Sequence, residues 1–168
     1  MKNNQEQNKQ YIDYLRNFGY MQGVDRADRV KSTQEIFTPI AACEYYCKML
    51  TEYAYSNAFT DVTEKIVDNC SGDGEWLGAC LIKRLENGLS LEESLLTLVG
   101  SDLQEDNVKL CRERLLCGRE DLRHIVERTI VNADALRYHY RFDGSHPYDD
   151  EAKEIQKEQL WNNLFDFG

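Results

Sequence analysis

"IVDNCSGDGEWL", residues 66–77, decides the fold. Ile66 and Val67 are β-formers, Asp68 ends the apolar run, Gly72-x-Gly74 supplies a turn, and Glu75-Trp76-Leu77 reads as the start of a helix. A strand ending in an acid, followed by a glycine turn and a helix, presents backbone N–H groups and a helix N-terminus to a small ligand. A lone Gly-x-Gly does not say which ligand. The dinucleotide fingerprint needs a third glycine where Leu77 stands, and the lysine of a phosphate-binding loop is missing too.

Working outward, Glu75 to Asn87 has helical spacing, with Leu77, Cys80, Leu81 and Leu85 on one face and Gly88 as a stop. Ser90-Leu91-Glu92-Glu93 is a capping-box pattern that opens one or two helical turns. The run Leu96 to Gly100 reads as the next strand, Asp106 to Leu116 as a helix closing at Gly118, Glu120 to Glu127 as a short helix, and Thr129 to Ala133 as a third strand. With Lys65 to Asp68 as the first strand, the order is β-α-β-α-β. Parallel strands joined by right-handed crossovers follow, which is an α/β, Rossmann-like doubly wound sheet. Upstream, Thr38-Pro39 reads as an N-cap with proline at the first helical position, followed by Ile40, Cys43, Cys47 and Leu50 on one face.

The chain divides into three parts. Residues 1–30 form a polar, partly helical arm with aromatics at Tyr11, Tyr14, Phe18 and Tyr20, expected to dock late or need a partner and to end near Gly23. Residues 31–136 form the core. Residues 137–168 hold an aromatic loop and an amphipathic C-terminal helix over Asp149 to Phe165.

The 168 residues are one domain's length, and 42% apolar with 30% charged residues is a globular balance. No apolar run approaches the ~20 residues that span a bilayer, so a soluble cytoplasmic protein without a membrane partner is expected. Six cysteines without a C-x-x-C pair give no zinc spacing and read as small buried thiols in a reducing compartment; no metal is expected. The net charge is -10, and residues 31–136 hold 19 acids against 11 bases. Proteins that track phosphates carry basic stripes, so strong duplex binding by this chain alone is not expected.

"VDNCSGDGEWL" resembles the first motif of class I S-adenosylmethionine-dependent methyltransferases, in the form found in adenine-specific DNA amino-methyltransferases. "STQEIFTP" upstream is similar to the cofactor-clamping motif that precedes their first strand. "VGSDLQEDNVKLCRERL" is similar to their second strand, acid and helix, and "IVNADAL" to their third strand ending in an acid. The resemblance covers residues 31–136. It implies a truncated, N-terminal cofactor-binding half with S-adenosylmethionine as cofactor. Phe37, Thr38 and Pro39 would line its methionine end, and Asp68, Gly72 and Gly74 would surround the amino-acid moiety. Asp102 would accept the ribose hydroxyls, and Asp134 the adenine amino group, with Leu103 and Ala135 packing on the ring.

There are departures. Asn69 replaces the family's proline. Asp73 puts a negative charge where a cofactor carboxylate would sit, so repulsion is expected unless Asp73 faces solvent or meets the cofactor's ammonium. The family's fourth motif, (Asn/Asp)-Pro-Pro-(Tyr/Phe), has its nearest counterpart in Ser145-His146-Pro147-Tyr148, where Pro147 and Tyr148 match and would be the catalytic candidates. Ser145 and His146 do not match, and no apolar fourth strand precedes them. His124, His139 and His146 read as structural or solvated.

Three readings follow. The chain is an S-adenosylmethionine-binding, methyltransferase-like protein lacking a complete catalytic motif, one form of which is the cofactor half of a split DNA adenine methyltransferase of a phage or mobile element. Alternatively it is an active DNA adenine methyltransferase, alone or with a second subunit. Or it is an acidic interaction or anti-restriction protein that keeps the fold without catalysis. In each case the open sheet edge is to be covered by the tail, by a second copy or by a second subunit, through which DNA would be reached.

Overall fold

The computed structural model describes residues 2–19, 31, 38–53 and 57–148. Its described elements are α1 (Lys2–Asn17), α2 (Ile40–Tyr53), β1 (Ile66–Asp68), α3 (Glu75–Glu86), α4 (Leu91–Leu95), β2 (Leu98–Asp102), α5 (Glu105–Leu116), a 3-10 turn (Glu120–Leu122), α6 (Arg123–Thr129) and β3 (Ile130–Asn132). The strands form a parallel sheet in the order β1-β2-β3, with Asp68 opposite Gly100 and Asp102 opposite Asn132. The described residues are therefore mixed α/β around a small three-stranded parallel sheet. Among the described residues no helix is long and apolar enough to cross a membrane.

Most element boundaries fall close to those expected, with three shifts: α2 starts at Ile40, the Pro39 carbonyl accepting from the Cys43 N–H in place of the N-cap expected at Thr38; the helix expected over Glu120 to Glu127 is a 3-10 turn followed by α6, which runs on to Thr129; and β2 is displaced. The capping box forms as expected: the Ser90 hydroxyl accepts from the Glu93 N–H, and the Glu93 carboxylate accepts from the Ser90 N–H. The N–H groups of Leu96 and Thr97 then donate to Glu92 and Ser94, which continues the helical turn through residues expected to be strand. β2 consequently starts at Leu98 rather than Leu96 and runs two residues further, so that Asp102 is its last residue.

The helix that follows the glycine turn, α3, is the centre of the molecule. It packs against α1, α2, α4, α5 and β2, and this explains why Gly78, Ala79 and Ile82 are buried as well as Leu77, Cys80, Leu81 and Leu85. Arg84, a polar position in the helical pattern, is fully buried too. Its guanidinium makes five hydrogen bonds, to the carbonyls of Ala58 (from both Nε and Nη2), Glu64 and Ser94 and to the Thr97 hydroxyl. A buried guanidinium is tolerated when all its donors are used, and here it ties α3 to the segment before β1 and to the turn before β2.

Period-two alternation divides the strands between two cores. Ile66, Leu98 and Ile130 face the helices, while Val99, Val131 and Ala133 pack with Tyr138 and Phe142 on the other face. That second face is covered by the aromatic loop, not by helices, among the described residues. Three tyrosine hydroxyls close the loop on itself: Tyr138 accepts from the Phe142 N–H, Tyr140 donates to the Ala135 carbonyl, and Tyr148 accepts from the Asp134 N–H. The expected C-terminal helix, Asp149 to Phe165, lies outside the described residues, as do Phe37 and the expected end of the arm near Gly23.

The described part of the arm, α1, packs on the core of its own chain. Leu15 is fully buried, and the Asn8 side-chain amide donates to the carbonyls of Leu85 and Leu89, capping the C-terminal end of α3. Arg16 bridges Glu44 of α2 and Glu86 of α3.

Gly74 sits at φ 82°, and a Cβ there would lie 2.6 Å from Cys111 Sγ and 3.1 Å from Cys111 Cα. Left-handed strain on a non-glycine residue and the overlap with α5 each cost ~1–3 kcal/mol. Gly74→Ala is therefore expected to lower the unfolding free energy by about 2–6 kcal/mol in urea titrations followed by circular dichroism.

Candidate functional site

The carboxyl ends of the three parallel strands carry Asp68, Asp102 and, two residues past β3, Asp134. Ligands of open α/β sheets bind outside these ends. The glycine turn spans the first two strands and is stitched to β2. The Ser71 N–H donates to the Ser101 carbonyl at 2.9 Å, the Gly72 N–H to Asp102 Oδ2 at 2.9 Å, and the Cys70 N–H to Asp68 Oδ1 at 3.2 Å. Gly100 makes this closeness possible, because a Cβ there would meet Ser71 Cβ at 3.1 Å and Leu77 Cδ1 at 2.9 Å.

Asp73 takes neither of the orientations expected for it. Its side chain turns inward, where Arg114 of α5 donates from Nη2 to Oδ2 and from Nε to the Asp73 carbonyl, both at 2.8 Å. Both side chains are almost fully buried. Glu75 lies 3.7 Å from the same Arg114 nitrogen, and the ring of Phe18, just past α1, covers the guanidinium at 4.7 Å. The negative charge between the two glycines is thus neutralised from behind.

In front of the turn lies a cleft of about 310 Å³. Tyr46 of α2 and Thr38 just before that helix supply one wall, Asp68 and Gly72 its floor, and Glu75 and Trp76 the start of α3. Cys43 and Cys70 also reach it. Burial pushes the Asp68 carboxyl up from its ordinary 3.8, the charge of Asp102 adds to this, and the Cys70 N–H opposes it. Burial likewise raises the Cys43 thiol to about 11, so it is not a thiolate at neutral pH. No group of His, Cys, Asp and Glu among the described residues could hold a metal ion.

Asp102 does more than end a strand. Its Oδ1 accepts from the Gln104 N–H at 2.9 Å and from Asn107 Nδ2 at 3.3 Å, while Oδ2 accepts from Gly72. A carboxylate has about four acceptor positions, so Oδ2 retains one. Leu103 beside it is 67% exposed. At the end of β3, Asp134 Oδ1 accepts from the Leu136 N–H, and Ala135 is half-buried with its carbonyl bound to Tyr140.

Of the residues expected at the site, Thr38, Asp68 and Gly72 line the cleft, Gly74 and Asp102 shape the turn, and Leu103, Asp134 and Ala135 stand at the neighbouring strand ends. Pro39 is exposed at the start of α2, where its carbonyl accepts from the Ala42 and Cys43 N–H groups. Pro147 and Tyr148 come back to the end of β3, with the Tyr148 hydroxyl 2.5 Å from the Asp134 nitrogen and the Arg137 guanidinium 5.4 Å from its ring. That hydroxyl ties down the loop. Of the histidines, His124 Nδ1 meets the Asp121 carbonyl and His146 Nδ1 accepts from the Tyr148 N–H.

Sequence reasoning missed Tyr46, Trp76 and Glu75 as cleft residues and Arg114 as the clamp behind the turn. Trp76 and Glu75 could have been found from their place directly after Gly74. Arg114 is 41 residues from Asp73 and left no local signal. Comparisons with protein-family models, with curated proteins and with solved structures find no match to this chain.

Because the folded-state pKa of Asp68 is raised, its ionisation opposes folding, and stability declines as pH rises above 3.8. Asp68→Asn keeps the acceptor for Cys70 and removes the charge. It is expected to raise the thermal midpoint at pH 7, with the gain disappearing below pH 3.8, as read by calorimetry across pH.

Proposed function

We propose that this chain is an S-adenosylmethionine-binding, methyltransferase-like protein with a minimal, Rossmann-like core related to that of DNA adenine methyltransferases. The observation that carries the reading is the joining of the first two strand ends into one cradle by the Asp102–Gly72 hydrogen bond, with the cleft directly in front of it. Further support comes from the chemistry of the donors. Backbone N–H groups of the turn suit a carboxylate, and Asp68 suits an ammonium. The spare acceptor position on Asp102 suits a ribose hydroxyl, and exposed Leu103 with Asp134 suits an adenine ring and its amino group. The ion pair with Arg114 offsets the repulsion that the sequence position of Asp73 suggested, and Asp73 still lines the cleft beside Glu75. When bound, the cofactor supplies an electrophilic methyl group; the residues named bind and orient it.

Turnover is not part of the proposal for the chain alone. The Tyr148 hydroxyl and ring are engaged by Asp134 and Arg137, and no fourth strand pairs with β1 among the described residues. A second subunit completing the site and reaching DNA fits these features and the acidic charge of the chain.

Isothermal titration of the full chain with S-adenosylmethionine and S-adenosylhomocysteine tests the reading. One site is expected, weakened about tenfold or more, or ~1.4 kcal/mol, in both Asp102→Ala and Asp134→Ala. No heat with either ligand, or isotherms unchanged by both substitutions, would refute it.

A further inference from the structure

The wall of the cleft formed by α2 is joined to the domain chiefly through α3, along a seam of small side chains. The buried residues of α2 are Cys43 and Cys47, both small, and Ile40 and Leu50 are only partly covered. Across that seam Cys47 Sγ lies 3.8 Å from Cys80 Sγ of α3, both thiols being fully buried and both free. Thr38, Cys43 and Tyr46, the cleft residues of this wall, lie within nine residues of Cys47 in the sequence.

We propose that Cys47 and Cys80 are a redox pair whose disulfide staples α2 to α3 and fixes the wall of the cleft. The sulfurs are already in van der Waals contact, so a rotation of the two side chains with a small approach of the helices brings them to bonding distance. The oxidant is a low-molecular-weight disulfide of the glutathione class. One protein thiolate attacks a sulfur of that disulfide, forming a mixed disulfide and releasing one glutathione thiolate. The second protein thiol, as thiolate, then attacks the protein sulfur of the mixed disulfide and releases the second glutathione. Two protein thiols are oxidised by two electrons in all, and one glutathione disulfide is reduced to two thiols.

The surroundings set the rate. The contact with Cys47 and burial together push the Cys80 thiol well above its ordinary value, so little thiolate exists while the seam is closed. Oxidation therefore waits for α2 to lift, a local opening that exposes both sulfurs at once. Once formed, the bond closes a loop of some thirty residues between positions 47 and 80 and restricts the unfolded chain accordingly. This inference is independent of the cofactor reading.

The test is to incubate the full chain with oxidised glutathione in mildly alkaline buffer and map its disulfides by mass spectrometry. The expected product contains one Cys47–Cys80 cross-linked peptide two hydrogens lighter than its two reduced peptides together, takes up glutathione only at exposed Cys70, melts several degrees higher than the reduced chain, and reverts with dithiothreitol. Cys80→Ser abolishes that peptide while exposed Cys70 still takes up glutathione. Glutathione adducts without the cross-link, a cross-link between Cys43 and Cys70 in its place, or thiols unchanged after oxidation would each overturn the proposal. The wild-type map decides the matter even if the serine variant is unstable.

Discussion

The buried ion pair between Arg114 and Asp73 is the constraint on which the site rests. A glycine turn is an entropically costly object, because glycine loses more backbone freedom on ordering than any other residue. Here the turn is held from one side by β2, through Ser101 and Asp102, and from the other by α5, through Arg114. Burying two charges costs several kcal/mol per ion, which Coulomb attraction offsets only when geometry and additional hydrogen bonds are good. Both conditions are met, since the guanidinium bonds to the carboxylate and the backbone carbonyl of one residue. Removing either partner alone would strand the other, a loss of ~3–5 kcal/mol in such pairs. The pair therefore does more for the shape of the turn than for net stability.

The same pair explains the role of the N-terminal arm. Phe18 covers the guanidinium, Tyr14 donates to the Glu113 carbonyl, and Arg119 donates to the Tyr11 hydroxyl. The arm's aromatics thus close the back of the turn, while Asn8 caps α3. The composition of residues 1–30, rich in Asn, Gln and charge, suggested a partly helical arm that docks late or needs a partner. What that composition hides is a stripe of Ile12, Leu15 and the aromatic rings, narrow but sufficient to seat one helix.

How much was legible follows from the range of the interactions. The three strands, the capping box and α3 were readable because periodicity and capping are local signals, and the acids at the strand ends came with them. β2 was displaced by two residues because Leu96 and Thr97 satisfy their N–H groups in a helical turn, a choice that apolarity alone does not encode. Buried Arg84 and Arg114 were unreadable for a different reason: their partners lie 10 to 41 residues away, and a helical pattern assigns arginines to solvent. The orientation of Asp73 depends on one of them. The open sheet edge was expected to be covered by the tail with its C-terminal helix or by another chain, and residues 149–168 lie outside the described residues. The aromatic loop after β3 covers a face, because Val99 and Val131 offer apolar area there and the tyrosine hydroxyls pay for its closure with backbone hydrogen bonds.

The central claim is that the turn, Asp102 and Asp134 form one preformed ligand cradle at the carboxyl ends of the sheet. The most direct measurement is a backbone amide NMR titration of the full chain with S-adenosylhomocysteine. Saturable shifts at Asp68 to Glu75, Asp102 to Gln104 and Asp134 to Leu136, with the remaining amides of the sheet and of α5 little changed, are the predicted result. A spectrum that ignores the ligand, or shifts confined to surfaces away from these strand ends, would contradict it.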